Sequence, residues 1–152
     1  FFKGVTVYMR IIRLVFLGLG GKIPSPADFE EAGRALLGRL GVSNILMTLG
    51  DQGMTLFEKD GGVYHVPTKA RHVADVSGAG DTVIATLTMA LLGGATVREA
   101  SSLANYGGGI VCGYVGIVPI DKDELVRTVL AGLNHGLHSP QSPQTPPGGG
   151  RS

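Results

Sequence analysis

Apolar residues recur at helical spacing in several stretches of the chain and run without polar interruption in others, a change of period that predicts an α/β fold. Pro26 sits at a first helical position with Ser25 as its cap, and Phe29, Ala32, Leu36, Leu37 and Leu40 then line one face until Gly41 stops it. Residues 44–49 follow with no polar alternation, as a buried parallel strand requires. The strand ends in Thr48-Leu49-Gly50-Asp51-Gln52-Gly53, whose glycines permit a tight turn at the sheet edge where open α/β folds bind ligands. Taken alone, that run reads as a plain turn. Residues 54–59 and 62–66 are strand-like and joined by Asp60-Gly61, a strong hairpin signal.

The next helix spans 81–92, with Val83, Leu87, Ala90 and Leu91 at its spacing. Gly93-Gly94 ends it, and Thr96 caps another whose face is Val97, Ala100, Leu103 and Ala104. That helix runs into Asn105-Tyr106-Gly107-Gly108-Gly109, where each glycine costs about 1 kcal/mol relative to alanine. Such a run is tolerated where a backbone or a flat ligand lies close, and close helix packing accounts for it equally. After a short loop over 115–119, Asp121 caps a last helix with Leu125, Val126, Val129, Leu130 and Leu133 on its apolar side. From 134 to 152 the composition turns to Pro, Ser, Gln and Gly, which predicts a disordered tail. Residues 1–22 are atypical. The apolar stretch 8–21 is broken by Arg10 and Arg13, too short to span a bilayer, and lacks a signal-peptide cleavage site; a buried strand through Val5 and Val7 is the alternative. The chain does not begin with methionine and is expected to be a piece of something longer, with a reading-frame disruption or gene fragment as one account of 8–21.

Composition narrows the picture further. A chain of 152 residues, 43% hydrophobic with net charge +1, can bury a real core in one soluble domain and carries no basic, aromatic-interleaved footprint for nucleic acid. Its one cysteine, Cys112, excludes an internal disulfide and suits a reducing cytoplasm, and it reads as a small core residue. His65, His72, His135 and His138 lack zinc-ligand spacing and read as surface or loop residues.

The chemistry concentrates in Asp75-Val76-Ser77-Gly78-Ala79-Gly80-Asp81-Thr82. Gly78, Ala79 and Gly80 let a ligand approach the backbone, and they feed directly into a helix whose unpaired N–H groups and dipole favour an anion such as phosphate. Asp81 has a structural explanation as a first-turn carboxylate. Beside a phosphate, a carboxylate repels the ligand, but it can accept the proton of an attacking hydroxyl. A plain glycine-rich connection is the competing reading, since short glycine motifs are weak by themselves.

With its flanking segments, this loop resembles the C-terminal signature of the ribokinase-like, or PfkB, family of carbohydrate kinases. Thr48-Leu49-Gly50-Asp51-Gln52-Gly53 resembles the family's nucleotide-side turn, and Leu103-Ala104-Asn105 with Val111-Cys112-Gly113-Tyr114-Val115-Gly116 resembles the segment that borders adenine and closes the cation loop. The resemblance covers about 23–133 and implies the C-terminal portion of a three-layer α/β/α fold, incomplete because the N-terminal half and β-sheet lid of these kinases are not seen. It implies that Asp81 is the catalytic base and that Gly78, Ala79 and Gly80 form an anion hole for the transferring phosphoryl group. Thr48, Gly50 and Gly53 would face ATP phosphate and ribose, Asn105 with Gly108 would lie near the adenine, and Asp75 with the Ser77 carbonyl would hold a monovalent cation, usually K+. Mg2+ would arrive chiefly with ATP, the partners would be ATP and a sugar phosphate rather than nucleic acid or membrane, and the full-length parent is a possible homodimer. Within the family, residues 75–85 are most similar to the D-glycero-β-D-manno-heptose-7-phosphate kinases of bifunctional ADP-heptose synthases, which implies a role in lipopolysaccharide-core synthesis. A nucleotide-binding remnant without catalysis, and a kinase for ribose, fructose or a nucleoside, are the alternatives. The family's Asn-x-x-Glu segment has no counterpart ahead of the first helix.

Overall fold

The computed structural model describes residues 7–11, 26–69 and 73–137. In chain order these form β1 (Val7–Ile11), α1 (Pro26–Leu40), β2 (Asn44–Thr48), a 3-10 turn (Gly50–Gln52), β3 (Met54–Glu58), β4 (Val63–Val66), α2 (Ala79–Leu92), α3 (Val97–Val111) and α4 (Lys122–Leu137). The strands make one sheet in the order β1-β2-β3-β4. β1 lies parallel to β2, with Val7 opposite Asn44 and Ile11 opposite Thr48, and β3 and β4 continue it antiparallel.

Both faces of this sheet are covered. Ile45, Met47 and Phe57 point to α1, where Phe29, Leu36 and Leu37 meet them. Leu46, Met54, Leu56 and Val66 point the other way, onto Val83 and Leu87 of α2 and Ala100 and Ala104 of α3. Successive strand residues face opposite sides, so a strand covered on both needs apolar residues at consecutive positions. That is the physical reason residues 44–49 show no alternation. Gly33 lets α1 settle onto the sheet, because a Cβ there would fall on the Phe57 ring. Phe29 and Phe57 then pack tilted, 60° apart with centroids at 5.5 Å, as aromatic quadrupoles favour.

The hairpin forms where Asp60-Gly61 predicts it. Gly61 takes φ +97°, Gly62 N–H donates to Asp60 Oδ1 at 3.0 Å, and Glu58 N–H donates to the Gly62 carbonyl at 2.9 Å. Two arginines hold it from opposite layers. Arg34 of α1 donates to the Gly61 carbonyl, and Arg98 of α3 grips the Glu58 carboxylate at 3.0 Å through Nε.

Several expectations change. Residues 7–11 are a sheet strand beside β2, so part of the segment read as atypical belongs to the fold; residues 1–6, including Val5, and the Ser25 cap lie outside the described residues. Leu40 is exposed at the end of α1. On α4, Val126, Leu130 and Leu133 are exposed and only Leu125 and Val129 are half-buried, because periodicity identifies an apolar face but not what covers it. The same helix continues through Leu137, past the start at 134 of the predicted tail, whose remainder lies outside the described residues. His65 stands on β4, exposed and hydrogen-bonded to Thr55 Oγ1 at 3.0 Å, and His135 stands on α4; His72 and His138 lie outside the described residues.

Candidate functional site

The loop before α2 is built around one carboxylate. Asp75 Oδ1 accepts from the Ser77 N–H at 3.0 Å and the Ser77 hydroxyl at 2.8 Å, while Oδ2 accepts from the Gly116 N–H at 3.0 Å. These donors, Ser77 foremost, hold the Asp75 carboxyl below the usual aspartate range. A second tie runs through the backbone, since the Cys112 carbonyl accepts from both Ala74 and Asp75 N–H groups at 2.8 and 3.2 Å. The Cys112 thiol is half-buried, and burial, then the Asp75 charge, raises its pKa. Together these bonds clasp the loop to the segment that follows α3.

Gly78 completes the approach to α2 in the left-handed region at φ +77°, and a Cβ there would also meet Ile117 at 3.1 Å. No side chain caps α2. Ala79 N–H reaches only the Val76 carbonyl, at 3.3 Å, and the N–H groups of Gly80 and Asp81 meet no acceptor among the described residues. Open space surrounds the position where a Gly80 Cβ would lie, and Asp81 is exposed in the first turn. The result is an uncapped helix N-terminus with free donors, positive dipole character and a carboxylate beside it.

The second part lies at the carboxyl end of β2. Gly50 at φ +64° and Gly53 at φ +93° fold the chain back, with Leu49 N–H donating to the Gly53 carbonyl at 2.7 Å and Gly53 N–H to the Gly50 carbonyl at 3.2 Å. Gly53 also abuts the chain leaving β4: a Cβ there would strike the Val66 carbonyl oxygen and come within 2.6 Å of the Thr68 nitrogen. Asn105, buried on α3, donates through Nδ2 to the Pro67 carbonyl at 2.6 Å. Thr48 ends the strand, half-buried.

α3 brings these parts together. Asn105, Gly108 and Cys112 lie along one side of it at a helical spacing of three and four residues, reaching the chain after β4, the first turns of α2 and the Asp75 loop in turn. Gly108 is buried in the seam between helices, where a Cβ would sit 2.8 Å from Val83 Cγ2 and 3.9 Å from the Ala79 carbonyl. Sequence reasoning did not identify Pro67 or Ile117 as parts of the site, and it placed Gly116 only within the segment that resembles the family's cation loop. The Asp75 to Gly116 bond joins residues 41 apart, and Gly116 takes φ +84°.

A model described as pfkB family carbohydrate kinase matches residues 18–123. The match therefore begins ahead of residue 23 and stops short of 133. Among curated relatives, the bifunctional protein HldE of Paramagnetospirillum magneticum is 43% identical over 125 residues, which cover 82% of this chain and 26% of the relative. The protein of the same name from Rhodospirillum rubrum is 47% identical over 109 residues, covering 70% of this chain and 22% of the relative. The chain thus spans about a quarter of the length of these relatives. Among solved structures, Arabidopsis thaliana ribokinase complexed with ribose and ATP superposes with TM-score 0.72 at 22% identity, covering 81% of this chain and 40% of that one. Phosphofructokinase-2 from Escherichia coli in complex with potassium gives TM-score 0.73 at 15% identity, covering 82% and 40%. At such identities the structures speak for a shared fold, here a partial ribokinase-like one. The match over 18–123, with the fold that accompanies it, means that this chain belongs to the pfkB family of carbohydrate kinases.

Proposed function

We propose that the chain is the nucleotide-binding and catalytic portion of an ATP-dependent kinase that phosphorylates the anomeric hydroxyl of D-glycero-β-D-manno-heptose 7-phosphate in the cytoplasm. The observation that carries the reading is the N-terminus of α2, where among the described residues no side chain caps the helix, the Gly80 and Asp81 N–H groups meet no acceptor and nothing lies over Gly80, with the Asp81 carboxylate alongside. In the proposed reaction Asp81 accepts the proton of the attacking hydroxyl. The N–H groups of Gly78, Ala79 and Gly80, with that of Asp81, would hold the charge that gathers on the transferring oxygens, Ala79 giving up its 3.3 Å bond to the Val76 carbonyl, and the α2 dipole adds to them. When bound, ATP supplies the phosphoryl group.

The residues present fit such a ligand. An uncapped helix start over open space accepts a phosphate oxygen without displacing a protein acceptor. Thr48, Gly50 and Gly53, at the end of β2, would take the remaining phosphate and the ribose. The Asp75 oxygens already accept three protein hydrogen bonds out of about four lone-pair sites. Their share in a K+ site would therefore be a single contact, with the Ser77 carbonyl beside it. Mg2+, which keeps several waters and binds mainly substrate phosphates, would arrive on the nucleotide.

The heptose acceptor rests on the resemblance of residues 75–85 to heptose-7-phosphate kinases. A second reading, a nucleotide-binding module without turnover, is favoured by the exposure of Val115 and Ile117, at 83% and 80%, next to the Asp75 clasp, since transfer needs a site closed to water. Phosphoryl transfer from γ-labelled ATP to a panel of heptose 7-phosphate, ribose, fructose and a nucleoside separates the readings. Heptose 7-phosphate is expected to be labelled with the highest kcat/KM. Preference for another acceptor would overturn the heptose assignment, and ATP binding without labelling of any acceptor would favour the binding module.

A further inference from the structure

Asn105 stands apart from the rest of the site. It is 5% exposed, and its amide is spent on the backbone of a segment 38 residues away, with Nδ2 donating to the Pro67 carbonyl at 2.6 Å. The Pro67 to Thr68 backbone it holds is the wall against which Gly53 rests. A Cβ on Gly53 would come within 2.8 Å of the Pro67 carbonyl carbon and 2.6 Å of the Thr68 nitrogen, so nothing but backbone separates turn from wall. Gly53 in turn closes the turn, accepting from Leu49 N–H at 2.7 Å and donating to the Gly50 carbonyl at 3.2 Å.

We propose that Asn105 is a positioning residue for the Gly50 to Gly53 turn, acting through the Pro67 carbonyl, and not a contact of the nucleotide base. Pro67 has no N–H with which to anchor itself, so its carbonyl takes the hydrogen bond from α3, and two residues on the Lys69 ammonium lies over the Tyr106 ring of the same helix, 5.4 Å from its centroid. A buried amide donor facing a carbonyl at this distance fixes the wall against sliding, and Gly53, lacking a side chain, transmits that fixity to the turn. The inference rests on the kinase reading for its ligand but not for its geometry. It follows that loss of Asn105 loosens the end of the site that would take phosphate and ribose, while the α2 N-terminus, held by the separate Asp75 clasp, stays in place.

The test uses the 152-residue chain with Asn105→Ala, and with Asn105→Ser, whose side chain is too short to reach Pro67, as the second variant should the first not fold. Amide hydrogen exchange is measured without ligand, and binding with ATP and with free adenine, which lacks both ribose and phosphate. Exchange at Leu49 and Gly53 is expected to rise several-fold with the β2–β3 ladder amides unchanged. ATP binding is expected to weaken about tenfold, the scale of one lost hydrogen bond, with adenine binding unchanged. Unchanged exchange at Leu49 and Gly53 would overturn the proposal, as would a parallel loss of ATP and adenine, which a direct base contact produces. If the turn amides respond but the wild-type chain binds neither ligand, the positioning stands and the kinase reading falls.

Discussion

The Asp75 carboxylate accepts from one amide and one hydroxyl of Ser77 and from the Gly116 amide, and each of these donors favours the ionised form. Its folded pKa is therefore below its unfolded one. The resulting stabilisation is fully present above the unfolded value, near pH 4, and is lost as pH falls through the folded value. Thermal melts from pH 6 to 2 are expected to show a lower Tm for Asp75→Asn at pH 6 and a shallower decline below pH 4, since an amide cannot accept on both sides. Profiles that fall in parallel would mean the clasp adds nothing. At this scale the sequence marked Gly78 and Asp81 through composition and position, and Asp75 through the family resemblance. It did not mark Pro67, nor the bond from Gly116 to Asp75, because a backbone group donating or accepting across about 40 residues leaves no trace in side-chain identity.

The elements were legible wherever period and punctuation agreed. Thr96 and Glu99 form the full reciprocal cap, with Glu99 N–H donating to Thr96 Oγ1 and Thr96 N–H to Glu99 Oε2, and Asp121 Oδ1 accepts from Glu124 N–H at 2.7 Å. The glycines of α3 were legible only as two alternatives, and contact distances favour packing: a Cβ on Gly107 would lie 2.8 Å from Thr86 Oγ1, as one on Gly108 would from Val83 Cγ2. Gly108→Ala thus sets a helix-propensity gain of about 1 kcal/mol against an overpacking cost of about 1–3 kcal/mol. Val83 is buried and β-branched, so it yields little, and the net expectation is destabilisation. Gly38 of α1 has nothing within 4 Å, and Gly38→Ala is expected to stabilise by about 1 kcal/mol. Urea melts of the two variants give opposite shifts in midpoint on this account; a stabilising Gly108→Ala would show that the α2–α3 seam is loose.

The whole molecule is a sheet covered on both sides, with one end of it, the start of α2 and the loop after α3 drawn together by α3. The layer order follows from a strand apolar at the consecutive positions 45–47, and so was open to sequence reasoning. The exposure of Val126, Leu130 and Leu133 on α4 was not, because amphipathicity is a property of one helix and burial a property of two. The same limit applies to the site. Its exposed backbone donors follow from glycine chemistry, whereas the surface that would grip a sugar is not encoded in the loop. In the proposed reaction the loop divides the labour: backbone donors would bind and Asp81 alone would move the proton. Comparing Asp81→Asn with wild type, for kcat on heptose 7-phosphate and for ATP affinity, tests that division most directly. The account predicts a fall in kcat of about 10²–10⁴-fold with ATP affinity held or slightly tightened, since a repelling charge is removed. Undiminished turnover in Asp81→Asn would contradict it.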